Sequence, residues 1–137
     1  MNSFEIETGT RVHGIGVDIV ETARIRSSME RFGDRFLRRV FTDGEREYCG
    51  AMPAPERHYA ARFAAKEAVS KAFGTGIGKH VGWRDVEVKR KESGEPFVEL
   101  HGAAEELAGR EGIVRVLISL SHSDHYAVAN TVLIGRG

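Results

Sequence analysis

Asp18 and Glu67 are the two acids whose settings single them out. Asp18 lies near the end of an alternating segment, VHGIGVDIV from Val12 to Val20, and Glu67 comes 49 positions later inside HYAARFAAKEAVSKAF, His58 to Phe73. Paired carboxylates are the usual protein contribution to a magnesium site, with phosphate oxygens and waters completing the octahedron. They can hold a metal only if the fold makes them neighbours. Kept apart, Asp18 is a strand-end cap or turn former, and Glu67 is an exposed partner of Lys71 one helical turn on, worth only a few tenths of a kcal/mol.

Other groups near these acids could meet phosphate. Lys66 and Lys71 precede a Gly74-Thr75-Gly76 turn. Such lysines are point charges for a polyphosphate, and glycines let a backbone approach closely. The same residues also suit solvated lysines and a helix C-cap. Because the lysines come before the glycines, the spacing is not that of a P-loop. His122 and His125 fall in a predicted strand-to-strand turn, where an imidazole can bind phosphate, shuttle protons or simply face water. Ser121, His122 and Asp124 do not make a hydrolase triad, since triad members come from distant segments.

The elements that must position these groups follow from periodicity. In Val12 to Val20, Ile15, Val17 and Ile19 share one strand face, and Gly14, Gly16 and Asp18 share the other. His58 to Phe73 reads as the principal helix, closed by Gly74. Its Ala61, Ala64, Ala65, Ala68 and Ala72 form one small-residue face at 100° per residue. That face can press closely on the glycine face of the first strand, and the contact would bring Asp18 and Glu67 together.

Residues 22–39 read as a helix with an apolar stripe of Ile25, Met29, Phe32 and Phe36 and a potential break at Gly33. Arg24, Arg31, Arg35 and Arg38 lie in one sector beside the stripe. From Glu21 to Arg39 there are six arginines against three acids. A charge run is commonly a solvated face, but a basic row bordering apolar residues can also dock an acidic helix.

Thr42-Asp-Gly-Glu45 has capping-box spacing and predicts another short helix, followed by a loop at 51–55. Strands are expected at Trp83 to Lys89 and Pro96 to Leu100 around a Ser93-Gly94 turn, then a helix at Ala103 to Arg110. Two further strands, Ile113 to Leu120 and Tyr126 to Ile134, flank a turn at 121–125. The expected fold is α+β, a single compact domain over residues 11–137 with a mainly antiparallel sheet packed on a long helix. Residues 1–10 are expected to be a flexible N-terminal extension.

Composition narrows the function classes. The chain has 137 residues, and its 20 Lys and Arg balance 20 Asp and Glu. A general nucleic-acid binder needs a charge excess and is excluded on this ground. The single cysteine, Cys49, permits no internal disulfide and fits a reducing compartment. No leader pattern opens the chain, and no apolar run approaches the ~20 residues that span a bilayer, so the expectation is a cytoplasmic protein with no membrane partner.

In order along the chain, GIGVDIVE from Gly14 to Glu21, Phe41-Thr42 with Glu45, RFAAKEA from Arg62 to Ala68, KAFGTGI from Lys71 to Ile77, and SLSH from Ser119 to His122 resemble the holo-[acyl-carrier-protein] synthases. These are the small single-module members of the 4′-phosphopantetheinyl transferase superfamily. The resemblance runs from about Arg11 to Ile134, and GVD together with FAAKEA carries most of its specificity.

It implies Mg²⁺-dependent transfer of the phosphopantetheine arm from coenzyme A to a serine of an acidic acyl carrier protein, in fatty acid biosynthesis, leaving adenosine 3′,5′-bisphosphate. Asp18 and Glu67 would hold the metal. Glu67, Asp18 and Lys71 would be the catalytic group, with the serine proton taken either by a metal-bound water or by Glu67, the first choice, through a water. Arg62, Lys66, Lys71, Gly74, Thr75, Gly76 and His122 would form the coenzyme A site, with Lys71, Lys66 and Arg62 contacting phosphates or ordering the helix. Arg24, Met29, Arg31, Phe32 and Arg35 would meet the carrier protein, and the domain would assemble as a homotrimer with sites between subunits. Two other functions compete: a non-catalytic module binding coenzyme A or an acidic protein, and a Mg²⁺-dependent nucleotide-phosphate hydrolase.

Overall fold

The computed structural model describes residues 7–137. Strand β1 (Thr10–Glu21) leads directly into helix α1 (Thr22–Phe32), followed by α2 (Asp34–Val40), α3 (Asp43–Gly50) and the long α4 (Pro55–Phe73). The hairpin strands β2 (Val86–Arg90) and β3 (Pro96–Leu100) come next, then α5 (Gly102–Arg110), β4 (Ile113–His122) and β5 (Tyr126–Arg136). The α+β expectation, with antiparallel strands against one long helix, holds. The strands form two sheets rather than one: β1-β5-β4, with β5 central, and the separate pair β2-β3.

Helix α4 lies close on the three-stranded sheet because β1 offers it no side chains to climb over at Gly14 and Gly16. A Cβ on Gly14 would overlap the Ala72 carbonyl oxygen, and one on Gly16 would overlap that of Ala68. Backbone therefore rests on backbone, the close approach that the paired glycine and alanine faces predict. Ala60, Ala64 and Ala68 are buried in one core cluster, with Val20, Ile25 and Phe41. Farther along the same helix, Val69 and Phe73 join Val86, Leu107 and Leu133 in a second. Thus α4 is the spine of both.

Four boundaries differ from the periodic reading. The helix expected over 22–39 is two helices: Gly33 adopts φ 53° and ψ −130°, outside the helical region, and its N–H closes α1 on the Met29 carbonyl at 2.9 Å. Arg24 and Arg31 therefore belong to α1, Arg35 and Arg38 to α2, and one wheel does not describe them. Helix α4 begins at Pro55, within the expected loop, because proline suits the first helical turn, where its missing N–H costs nothing. Trp83–Asp85 is a 3-10 turn, not strand, since the Asp85 carboxylate turns back to accept from the Gly82 N–H at 2.9 Å. Finally, β4 continues through His122, leaving 123–125 as the turn.

Among the described residues, the opposite face of β1 carries no helix. Ile15, Val17 and Ile19 are 71%, 55% and 64% exposed there. Across the ladder they are paired with Val132, Asn130 and Val128 of β5. Of the predicted extension, residues 1–6 lie outside the described residues; Thr10 already pairs with Arg136.

Candidate active site

Asp18 and Glu67 are brought to one place by the glycine–alanine contact. Asp18 follows Gly16 on the helix-facing side of β1, and Glu67 immediately precedes Ala68, whose carbonyl covers Gly16. Lys71 stands one turn beyond Glu67. Its ammonium donates to Asp18 Oδ1 at 2.8 Å and to the Val17 carbonyl at 3.3 Å. The simple helical pair between Glu67 and Lys71 is therefore replaced by a strand-to-helix ion pair.

The Glu67 carboxylate accepts no hydrogen bond among the described residues. Burial and the nearby charge of Asp18 push its pKa up, against smaller opposing pulls from Lys71 and Arg24. Lys71 is held above the ordinary lysine value, chiefly by its hydrogen bond to Asp18. A donor-poor carboxylate facing a second carboxylate suits a hard cation with oxygen ligands, and two protein ligands are enough where phosphate and water supply the rest. By this test the residues present fit a magnesium ion.

The other residues predicted to meet coenzyme A fall in three settings. Lys66 has no exposed surface, and its ammonium is enclosed by Glu45 Oε1 at 2.6 Å, the Trp83 carbonyl at 3.0 Å and the Val86 carbonyl at 2.5 Å. With three donors and three acceptors, it has no hydrogen left for a phosphate, which corrects the expected phosphate contact and leaves ordering of the helix. Arg62 is 1% exposed; it donates to the His58 carbonyl at 3.3 Å, its guanidinium lies 4.4 Å from the Tyr48 ring centre, and its Nε has no partner. At Gly74-Thr75-Gly76 the N–H groups of Thr75 and Gly76 both bond the Ser70 carbonyl at 3.2 Å, so this turn is the α4 C-cap. Gly74 and Gly76 have φ 82° and 67°, conformations that favour glycine.

His122 stands at the far end of β4, 5.5 Å ring to ring from His58. Burial pushes the His58 pKa down, and His122, Arg62, Arg90 and Arg57 reinforce the effect. Arg57 is paired with Asp124 at 2.9 Å. Tyr48, His58 and Arg90 thus join Arg62 and His122 in a cationic corner. Helical and strand periodicity give no hint of this convergence, because its members come from four elements.

On the basic arm, Arg24 is close enough to bias Glu67, while Arg31 lies 5.2 Å over the 49% exposed Phe32 ring. Arg35 and Arg39 flank a shallow groove with Phe32 and Phe36. Met29 differs from its expected place on the docking face, being half-buried against the core.

A third cluster, unforeseen in the sequence, lies on the β2-β3 hairpin. Glu87, Glu99 and His101 bring possible ligand atoms within 4.8 Å of one another. These groups already satisfy one another and their neighbours: Glu87 accepts from Thr42 Oγ1 at 2.8 Å and lies 2.8 Å from His101 Nε2, while Glu99 is paired with Lys89 at 2.8 Å.

Residues 14–130 match the family model described as the 4′-phosphopantetheinyl transferase superfamily. The chain is 51% identical over 116 residues to the holo-[acyl-carrier-protein] synthase of Chlamydia trachomatis serovar L2, covering 85% of this chain and 94% of that one. Among solved structures, the holo-[acyl-carrier-protein] synthase of Neisseria meningitidis superposes with a TM-score of 0.85 at 34% identity, covering 90% of this chain and 98% of that chain. The Bacillus anthracis enzyme in complex with CoA (3′,5′-ADP) gives 0.76 at 39% identity, covering 90% and 97%. The chain belongs to the 4′-phosphopantetheinyl transferase superfamily and is an enzyme of its holo-[acyl-carrier-protein] synthase group.

Proposed function

We propose that this enzyme transfers the 4′-phosphopantetheine group of coenzyme A to a serine hydroxyl of an acidic apo acyl carrier protein, serving fatty acid biosynthesis, with Mg²⁺ held by Asp18 and Glu67. The observation that carries the reading is the donor-poor Glu67 beside Asp18, with Lys71 bound to Asp18. Relatives support the substrate, since the Bacillus anthracis structure contains CoA (3′,5′-ADP).

In the reaction the serine Oγ bonds to the phosphorus carrying pantetheine, and the pyrophosphate P–O bond breaks to release adenosine 3′,5′-bisphosphate. Bound Mg²⁺ supplies Lewis-acid polarisation of that phosphoryl group and charge compensation for the leaving phosphate. Glu67, through a water, accepts the serine proton. Lys71, with half of its side chain exposed while anchored on Asp18, adds a positive charge at the pyrophosphate. His122, backed by the buried Arg62, contributes the cationic corner for the nucleotide end of coenzyme A, and the Gly74–Gly76 cap lets the ligand pass close to the helix end.

Arg24, Arg31, Arg35 and Phe32 form the docking face for the acidic carrier. The bare Ile15, Val17 and Ile19 face supports a homotrimer with sites between subunits, because exposed apolar patches of this kind mark association. Residues 11–137 form the catalytic domain and 1–10 an extension. Cytoplasmic residence is supported by the buried free thiol of Cys49, which burial pushes up to about 11.

The deciding experiment is incubation with coenzyme A, Mg²⁺ and apo carrier protein, read by mass spectrometry. A carrier heavier by one phosphopantetheine group is expected. Coenzyme A bound without turnover, or hydrolysed to free products, would overturn the reading.

A further inference from the structure

We propose that Glu45 and Lys66 are positioning residues that fix the rotation of α4 and so the place of Glu67; this rests on reading Asp18 and Glu67 as metal ligands. The Glu67 carboxylate has no protein donor to hold it among the described residues, so its location is inherited from the helix. The glycine–alanine contact sets how closely α4 approaches β1, but small side chains offer little to resist rotation about the helix axis.

Besides the half-exposed tie of Lys71 to Asp18 and the Val17 carbonyl, buried resistance comes from the residue next to Glu67. The fully buried Lys66 ammonium is tied to α3 through Glu45 Oε1 at 2.6 Å, and to the segment entering β2 through the Trp83 and Val86 carbonyls. Glu45 is equally enclosed: Oε1 also accepts from the Thr42 N–H at 2.9 Å, and Oε2 accepts from the Val88 N–H at 2.9 Å. Every bond has a fixed direction, and neither side chain has any exposed surface. Any turn of α4 about its axis would break one of them inside the core, where an unpaired charge is costly. An apolar pair of similar volume could serve stability as well, but without directional bonds. The same pair anchors Thr42, where the chain leaves the basic arm for α3, so the arm and Glu67 share one reference point.

The test measures Mn²⁺ binding to the full-length protein saturated with coenzyme A, read by electron paramagnetic resonance, alongside metal-free coenzyme A affinity and thermal melting. Lys66→Met and Glu45→Gln should each weaken Mn²⁺ binding about 10–100-fold while changing coenzyme A affinity by less than about threefold. Glu45→Gln retains the capping-box residue type and keeps the test available if Lys66→Met does not fold. The double variant should regain melting temperature lost by Lys66→Met without regaining Mn²⁺ affinity. Unchanged Mn²⁺ affinity in a folded single variant, or recovery of both quantities in the double variant, would overturn the proposal. So would loss of metal-free coenzyme A affinity in Lys66→Met alone, which would make Lys66 a direct phosphate contact. Asp18→Asn serves as the control: unchanged Mn²⁺ affinity there would reject the metal site itself.

Discussion

The Lys71 ammonium lies 2.8 Å from Asp18 Oδ1, joining a helix to a strand 53 positions away in sequence. One positive charge therefore already partly offsets the two carboxylates, and the uncompensated share falls on Glu67. Replacing Asp18 by Asn should lower the raised Glu67 pKa, because a like charge disappears; a carboxyl carbon NMR titration of the metal-free protein would read this. An unmoved titration would leave burial as the sole cause. In the metal-free protein the raised pKa favours folding below the ordinary glutamate value, and that increment is lost as pH rises through the folded value.

Both Asp18→Asn and Glu67→Gln should cut Mg²⁺-dependent transfer by at least ~100-fold, since metal ligands matter at least as much as their supporting shell. The metal-free fold should survive in each. Full transfer activity in either variant would remove that residue from the metal site.

Gly16→Ala tests the contact beneath the site. The added methyl would overlap the Ala68 carbonyl and approach the Ala72 nitrogen at 2.9 Å. Overpacking of this kind costs about 1–3 kcal/mol, and urea unfolding should show it. A neutral result would mean that α4 can lift from β1.

Acid sensitivity should arise at Glu87. Burial pushes its pKa up, but the hydrogen bonds from His101 and Thr42 prevail and hold it below the ordinary 4.5. This contribution is present above 4.5 and lost as pH falls through the depressed value. Urea midpoints measured from pH 6 to pH 3 should therefore fall less steeply in Glu87→Gln than in the parent, at pH values chosen to bracket this range. Equal slopes would place the acid sensitivity elsewhere.

Charge reversal at Arg31 and Arg35 should raise the carrier-protein KM while leaving that for coenzyme A nearly unchanged, with the largest effect at low salt. Arg24 is less suitable because its charge also reaches Glu67. Equal changes in both KM values would indicate damage to the fold. Lysines at Ile15 and Val17 should disrupt the proposed trimer, detectable by light scattering; an unchanged mass would exclude this sheet face as the interface.

The Asp18–Glu67 meeting was legible because it depends on two regular periods: glycines on one strand face and alanines on one helix face. The α3 capping box was legible for the same local reason, and both its reciprocal bonds are present. Gly33 announced a break but not its geometry, which depends on a single backbone conformation. The burial of Lys66 was hidden because its three acceptors come from Glu45, Trp83 and Val86, separated from it by 17 to 21 positions. The His58–His122 corner was hidden similarly, since its rings meet only after β4 extends to the start of α4.

The rest of backbone on backbone at Gly14 and Gly16 has a mechanical consequence. Side-chain interfaces can absorb a disturbance by changing rotamer, but this seam has no rotamers to change. The separation of the two backbones beneath Asp18 and Glu67 is therefore gauged by main-chain dimensions, like a jaw closed on a hard stop. Thermal agitation or core substitutions elsewhere should leave that separation nearly constant until the helix and strand part altogether, even where they let the helix turn about its axis.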